Sequence, residues 1–363
     1  MLPSGQALPV ARPPQTFLPW IQALRALAAA SVAFSHVEYD AVNNGGDPSG
    51  VLVAIMNFMP WVAGVDIFFV ISGFVIVHAS ASLFGAANGP WIFLRRRLAR
   101  IVPLYWIVTS FFLLILLLDR HEIHGDIGSP LYCFASYLFI PMIRPDGMVQ
   151  PAYGLGWTLN YEMFFYLVFT PFLLLTRYKA VGGAVALLSF LVLAGQLIHF
   201  HNVQVAYWSN LIILEFCAGM VIALVFARGF RLPEWLRPVL IAVAIVALHL
   251  NAGRALDWRA LAFGIPATLM VGAACLGRSP SVLNRLERWL VRLGDASYAM
   301  YLIHPFVIRS FTILWRHLHL TSEFGGIMYV VVVLAVAQSC ALLINQTLER
   351  RIALFFRRTP AAA

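Results

Sequence analysis

The chain has 363 residues, of which 61% are hydrophobic and 11% charged. Soluble domains hold about 45–50% apolar and about 25% charged residues, so this composition excludes an ordinary soluble enzyme and a disordered chain. It fits a polytopic membrane protein, in which lipid covers the apolar excess. Against 16 acidic residues stand 25 Lys and Arg, a formal charge of +9, and the placement of those cations decides what the charge means.

Residues 1–16 are Pro-rich and polar and read as a cytoplasmic tail without a cleavable leader. Apolar runs of the length a spanning helix needs follow at 17–37, 61–80, 98–118, 157–175, 181–199, 207–227, 237–250, 259–277, 297–315 and 327–347. The apolar piece 131–143 is too short to span and contains Pro141, so it reads as re-entrant or interfacial. Residues 351–363 form a basic tail. The predicted fold is therefore all-α: a polytopic membrane helix bundle of about ten transmembrane helices over 17–350, with both termini cytoplasmic.

The cations support that parity. With the N-terminus inside, Arg95, Arg96, Arg97, Arg100, Arg177, Lys179, Arg228, Arg231, Arg237, Arg278, Arg285, Arg288, Arg292, Arg350, Arg351, Arg357 and Arg358 fall on the inner side. The outer segments hold only Arg120, Arg144, Arg254, Arg259 and Arg316, a strong positive-inside asymmetry. An eleventh span at 131–143 would put Lys179 and every later cluster on the wrong side. The surplus charge is thus topological, and nucleic acid is not an expected partner. Cys133, Cys217, Cys275 and Cys340 show no C-x-x-C spacing and read as small buried hydrophobes. The histidine pairs His121/His124, His199/His201 and His317/His319 lack acidic residues at ligand spacing, so no metal is expected.

Charged residues inside spans cost at least about 2.5–3.5 kcal/mol each on insertion scales and are candidates for function. Arg25 and His36 are eleven residues apart, three helical turns, and share one stripe with an axial offset of roughly 16 Å. Asp66 and Glu162 each lie about five residues into their spans from the outside, which predicts His36, Asp66 and Glu162 at one depth. There a carboxylate could fix the imidazole tautomer and His36 could act as general base toward a hydroxyl. At the inner face, Arg95, Arg96, Arg97 and Arg100 at an expected helix start suit phosphate groups, and plain positive-inside anchoring competes with that reading. Ser297, Tyr301 and His304 share a face at i, i+4, i+7, and His304 could pack or catalyse.

Five motifs, in order, carry a resemblance. They are Ile21-Gln22-Ala23-Leu24-Arg25-Ala26 with His36 eleven residues after Arg25; Gly64-Val65-Asp66-Ile67-Phe68-Phe69-Val70-Ile71-Ser72-Gly73-Phe74; Arg97-x-x-Arg100 before Ile101-Val102-Pro103-Leu104-Tyr105-Trp106; Trp157-Thr158-Leu159-Asn160-Tyr161-Glu162; and Ser297-Tyr298-Ala299-Met300-Tyr301-Leu302-Ile303-His304-Pro305. Together they resemble the acyltransferase-3 family of membrane O-acyltransferases, and the Ile-Gln-x-Leu-Arg-Ala form resembles its exopolysaccharide-modifying branch. Gln22 and Ala26 depart from the commoner Asp and Gly.

The resemblance implies transfer of an acyl group, acetyl foremost, from cytoplasmic acyl-CoA to a hydroxyl of an extracytoplasmic or lipid-linked glycan at a bacterial inner membrane. It makes His36 essential, with Glu162 and Asp66 as its catalytic companions, and it places Arg25, Arg97, Arg100, Tyr301 and His304 at the donor site. Expected partners are acyl-CoA, the glycan or glycolipid acceptor, membrane lipid and a second copy of the chain. No appended esterase-like domain is evident, so transfer must finish in the membrane domain or on a partner. A transporter or flippase shares the intramembrane charges but predicts inverted repeats, which are not evident here. A scaffold for polysaccharide machinery gives no reason for His36, Asp66 and Glu162. An acyltransferase acting on a small molecule or lipid shares the chemistry and differs only in its acceptor.

Overall fold

The computed structural model describes residues 18–44, 50–118, 128–253, 258–278, 280, 282–318 and 323–358. The 1–16 tail, Arg120, His121, His124, Arg254, His319 and the last five residues of the basic tail lie outside them.

The described chain is helical. Its helices are α1 (Pro19–Asn44), α2 (Gly50–Met56), α3 (Gly64–Ala79), α4 (Gly89–Leu118), α5 (Pro130–Tyr137), α6 (Trp157–Phe172), α7 (Arg177–Leu197), α8 (Val203–Trp208), α9 (Ile213–Ala227), α10 (Leu236–Leu250), α11 (Arg259–Ala262), α12 (Gly264–Cys275), α13 (Arg285–Asp295), α14 (Ser297–His317), α15 (Glu323–Ile344) and α16 (Arg350–Arg358). Four stretches are long and apolar enough to cross a membrane: Trp61–Ala79, Gly89–Leu118, Arg177–Leu197 and Gly326–Phe355. Ile213–Ala227, Leu236–Leu250 and Arg259–Cys275 are apolar but shorter. The protein is an all-α, multi-pass membrane protein.

α1 is the hub and packs against α3, α12, α13, α14 and α15. Close approach rests on small residues, as it does where lipid removes the hydrophobic drive for helices to associate. A Cβ on Gly64 would meet the Ala28 carbonyl of α1, and one on Gly294 would meet the Gln22 carbonyl. α3 and α9 interlock through Gly73 against the Phe216 backbone and Gly219 against the Val70 carbonyl. Beside that seam the rings of Phe69, Phe165 and Phe216 stack, with Phe216 4.8 Å from Phe69 and 4.5 Å from Phe165.

Three segments differ from the apolar runs in the sequence. α4 begins at Gly89, well before the expected 98, so Arg95, Arg96, Arg97 and Arg100 lie inside the helix and not at its N-terminus. The expected help from helix-end amides is therefore absent. Arginine is a good helix former, and Pro90 next to the first residue is pre-set for a helix start, so the helix runs through the polar stretch. The run 259–277 breaks at Phe263 into α11 and α12. At the other end of the chain, α15 runs through a π-helical turn, Asn345–Glu349, into α16.

The piece 131–143 forms only the eight-residue α5, about 12 Å long and too short to span. It continues into a hairpin closed by the Ile143–Val149 bridge. Gly147 takes a φ of 87° in its turn, where a side chain would be strained.

Candidate active site

The first and fourteenth helices run side by side and match their polar residues rung by rung. At one end Arg25 donates to Ser297 Oγ through Nε (3.2 Å) and Nη2 (2.9 Å). At the other the rings of His36 and His304 lie 5.0 Å apart. Eleven residues separate the α1 pair and seven the α14 pair, and the reach of the arginine side chain covers the difference in rise.

Against these helices lies a cavity of about 730 Å³ lined by Arg25, Phe68, Ser72, Arg97, Arg100, Thr158, Glu162, Tyr166, Ser297, Tyr298 and Tyr301, among others. A wider vestibule of about 2450 Å³ adds Gln22, Arg95, Arg96, Asp295, Asn345, Glu349 and Arg350. Arg25, Arg97, Arg100 and Tyr298 line both, so the two spaces meet at the arginines. Three guanidinium groups face one carboxylate, Glu162, which leaves the junction positive and attractive to anions. Arg97 lies over the rings of Phe93 (5.4 Å) and Tyr166 (5.9 Å), and its Nε has no protein partner.

Glu162 belongs to this chamber. Its Oε1 accepts from Ser72 Oγ at 2.9 Å and from the Tyr166 hydroxyl. Asp66 does not belong to it. Fully buried, Asp66 holds Arg259 in a two-pronged pair, Nε–Oδ1 3.1 Å and Nη2–Oδ2 2.7 Å. Arg259 also lies over Trp157 (5.7 Å) and Phe263 (5.6 Å), with the buried carboxylate of Glu215 packed on Gly264 nearby. The expected common depth of His36, Asp66 and Glu162 is thus corrected. α6 begins at the level of Asp66, because Trp157 meets the Asp66 partner, and Glu162 lies more than a turn deeper, beside Ser72.

Neither carboxylate touches His36. Its Nδ1 lies 2.8 Å from the Val32 carbonyl, which can only accept, so Nδ1 carries the hydrogen and Nε2 is the basic nitrogen of the neutral ring. That is the tautomer a general base needs, fixed by backbone instead of by a carboxylate. The His36 side of α1 is exposed, and neither histidine lines the cavity. The chamber ends at Phe68 and Tyr301. The Tyr301 ring is 6.3 Å from His304, which in turn contacts His36. Tyr301 OH also contacts Thr158 Oγ1 and the Leu155 carbonyl, both at 2.9 Å.

Of the expected donor-site residues, Arg25, Arg97, Arg100 and Tyr301 come together in one cavity, whereas His304 stands outside it against His36. Sequence reasoning missed Arg259, Glu215 and Tyr166. A buried Asp66 implies a counter-ion, but nothing local selects one 193 positions away. Among the described residues, no group of three or more His, Cys, Asp or Glu stands close enough to hold a metal ion.

The family model for the acyltransferase domain, the third acyltransferase family, matches residues 18–346. The chain belongs to the acyltransferase-3 family. Exopolysaccharide production protein ExoZ of Rhizobium meliloti (strain 1021) is 33% identical over 254 residues, 69% of this chain and 78% of ExoZ. YrhL of Bacillus subtilis (strain 168), whose name proposes a peptidoglycan O-acetyltransferase, is 26% identical over 363 residues, 90% of this chain but 53% of YrhL. Acyltransferase MdmB of Streptomyces mycarofaciens is 26% identical over 318 residues, 80% of this chain and 79% of MdmB. No solved structure matches. This acyltransferase-3 protein is accordingly an O-acyltransferase enzyme.

Proposed function

We propose that the enzyme moves an acyl group, acetyl foremost, from acyl-CoA on the cytoplasmic side to a hydroxyl of an extracytoplasmic or lipid-linked glycan, exopolysaccharide before others. The observation that carries this is the junction at Arg25, Arg97 and Arg100, where a wide basic vestibule narrows into a cavity leading toward the histidines. Phosphates of the donor pair with the arginines of α4, for which planar guanidinium groups are suited. The thin pantetheine arm threads past Ser72, Thr158 and Tyr301. Arg25 to His36 spans about 16 Å of helix, a distance such an arm covers. His36 Nε2 takes the proton of the acceptor hydroxyl, the oxygen bonds to the thioester carbonyl carbon, the C–S bond breaks, and the CoA thiolate leaves and recovers the proton as a thiol. Two relatives named for exopolysaccharide production and peptidoglycan O-acetylation support a glycan acceptor. The ten-span topology with both termini inside, in a bacterial inner membrane, is part of this proposal.

The test is purified enzyme in liposomes with acetyl-CoA labelled in the acetyl group and a surface polysaccharide added to the outer compartment. Ester-linked label on the glycan with equal release of free thiol is expected. Label that crosses the bilayer with no thiol released would establish a transporter instead. Mass spectrometry of surface glycans from cells with and without the gene identifies the acyl mass and the carrier.

A further inference from the structure

His304 is a buried polar group that the reaction above does not use. It is 0% exposed, and its Nδ1 lies 3.0 Å from the Met300 carbonyl, so Nδ1 carries the hydrogen and Nε2 a lone pair. That Nε2 is buried without a partner, an arrangement that costs stability and persists where it serves a purpose. His36 repeats the pattern with Val32, and the two rings face each other at 5.0 Å and 58°. The carboxylates that could assist an imidazole are engaged elsewhere, Asp66 with Arg259 and Glu162 with Ser72 and Tyr166.

We propose that His304 is a positioning residue for His36: its bare Nε2 accepts the N–H that His36 gains on taking the acceptor's proton. It does for the imidazolium what the carboxylate does in a carboxylate–histidine pair. His304 gains and loses only a hydrogen bond; the proton passes from the acceptor oxygen to His36 and on to the departing thiolate. This inference rests on His36 being the base of the proposed transfer.

Two substitutions separate the role from simple packing. His304→Asn keeps a donor for the Met300 carbonyl but removes the acceptor at the Nε2 position, whereas His304→Gln places Oε1 near that position. Expected is a fall in kcat of about 10-fold to 100-fold for Asn, with KM for acetyl-CoA changed less than about twofold, and substantial recovery for Gln. Wild-type kcat in the Asn variant, or equal loss in both variants when both fold, overturns the inference. Should either variant fail to fold, the deciding measurement is the ¹⁵N spectrum of histidine-labelled enzyme in nanodiscs. The His304 Nε2 resonance moves in the His36→Gln protein if the two rings are coupled, and an unmoved resonance overturns the inference. A wild-type enzyme that transfers nothing from acetyl-CoA overturns the proposed function instead.

Discussion

His36 and Arg97 show how one side chain inherits its chemistry from neighbours. The Val32 carbonyl fixes the His36 tautomer, so His36→Ala in a folded protein is expected to lower transfer by about 10²-fold to 10⁴-fold in single-turnover assays. Arg97 lies flat against Phe93 and Tyr166, which presents a planar fork at the mouth of the cavity. Arg97→Ala is expected to raise KM for the donor by about tenfold, and Arg97→Lys to recover only part of it, because an ammonium neither stacks nor bonds in two-pronged fashion. Asp66 is a different case, a charge buried for structure. Asp66→Ala strands Arg259 without its counter-ion, and a loss of about 3–5 kcal/mol is expected in detergent unfolding. Replacing Asp66 and Arg259 together by Leu costs less than Asp66→Ala alone, since no unpaired charge remains. That Asp66 and Glu162 carry function or structure was legible in the sequence; which role falls to which was not, because pairing is decided by distant residues.

At the scale of helices, the α3–α9 seam is set by backbone contact. Gly73→Ala puts a methyl into the Phe216 carbonyl, and neither backbone can yield without parting the helices. A loss of about 1–3 kcal/mol is expected, with Gly182→Ala as the contrast. Gly182 lies in α7 with nothing near its missing Cβ, and Ala there gains up to about 1 kcal/mol of helix stability. Thermal unfolding of the two variants in one detergent checks both signs. The loop after α5 gives a pH prediction. Arg144 donates to Asp146 through Nε at 2.9 Å, while Asp146 Oδ1 accepts from the Met148 N–H at 3.1 Å. The Arg144 guanidinium holds the Asp146 carboxyl down at about 2. A lowered carboxyl contributes order that is complete above the ordinary carboxylate range and lost as pH falls toward that value. Exchange protection of the Met148 amide, corrected for intrinsic rate, is therefore expected to hold at pH 5 and to decline only below about pH 3.

Across the whole molecule, the vestibule and the hairpin carrying Asp146 should open on opposite sides of the membrane. With the four native cysteines replaced, Arg96→Cys and Asp146→Cys should react with an impermeant maleimide from opposite faces of sealed vesicles. Reaction of both from one face would break the corridor on which the proposed function depends. Arg96 and Asp146 are both accessible, Arg96 on the rim of the vestibule and Asp146 with 42% of its side chain exposed, so access is not the limiting factor.

Composition, charge asymmetry and motif order by themselves determined the membrane class, the all-α fold, the family and most of the arginine site. These depend on quantities summed along the chain: apolar length against bilayer thickness, and cations counted loop by loop. The short piece near 131–143 was legible for the same reason. Tertiary structure alone decided that Glu162 joins the arginines, that Asp66 takes Arg259, and that His304 faces His36 outside the cavity. Those partnerships depend on where helices start relative to one another and how closely glycines let them approach, and neither is written in the spacing within any one helix.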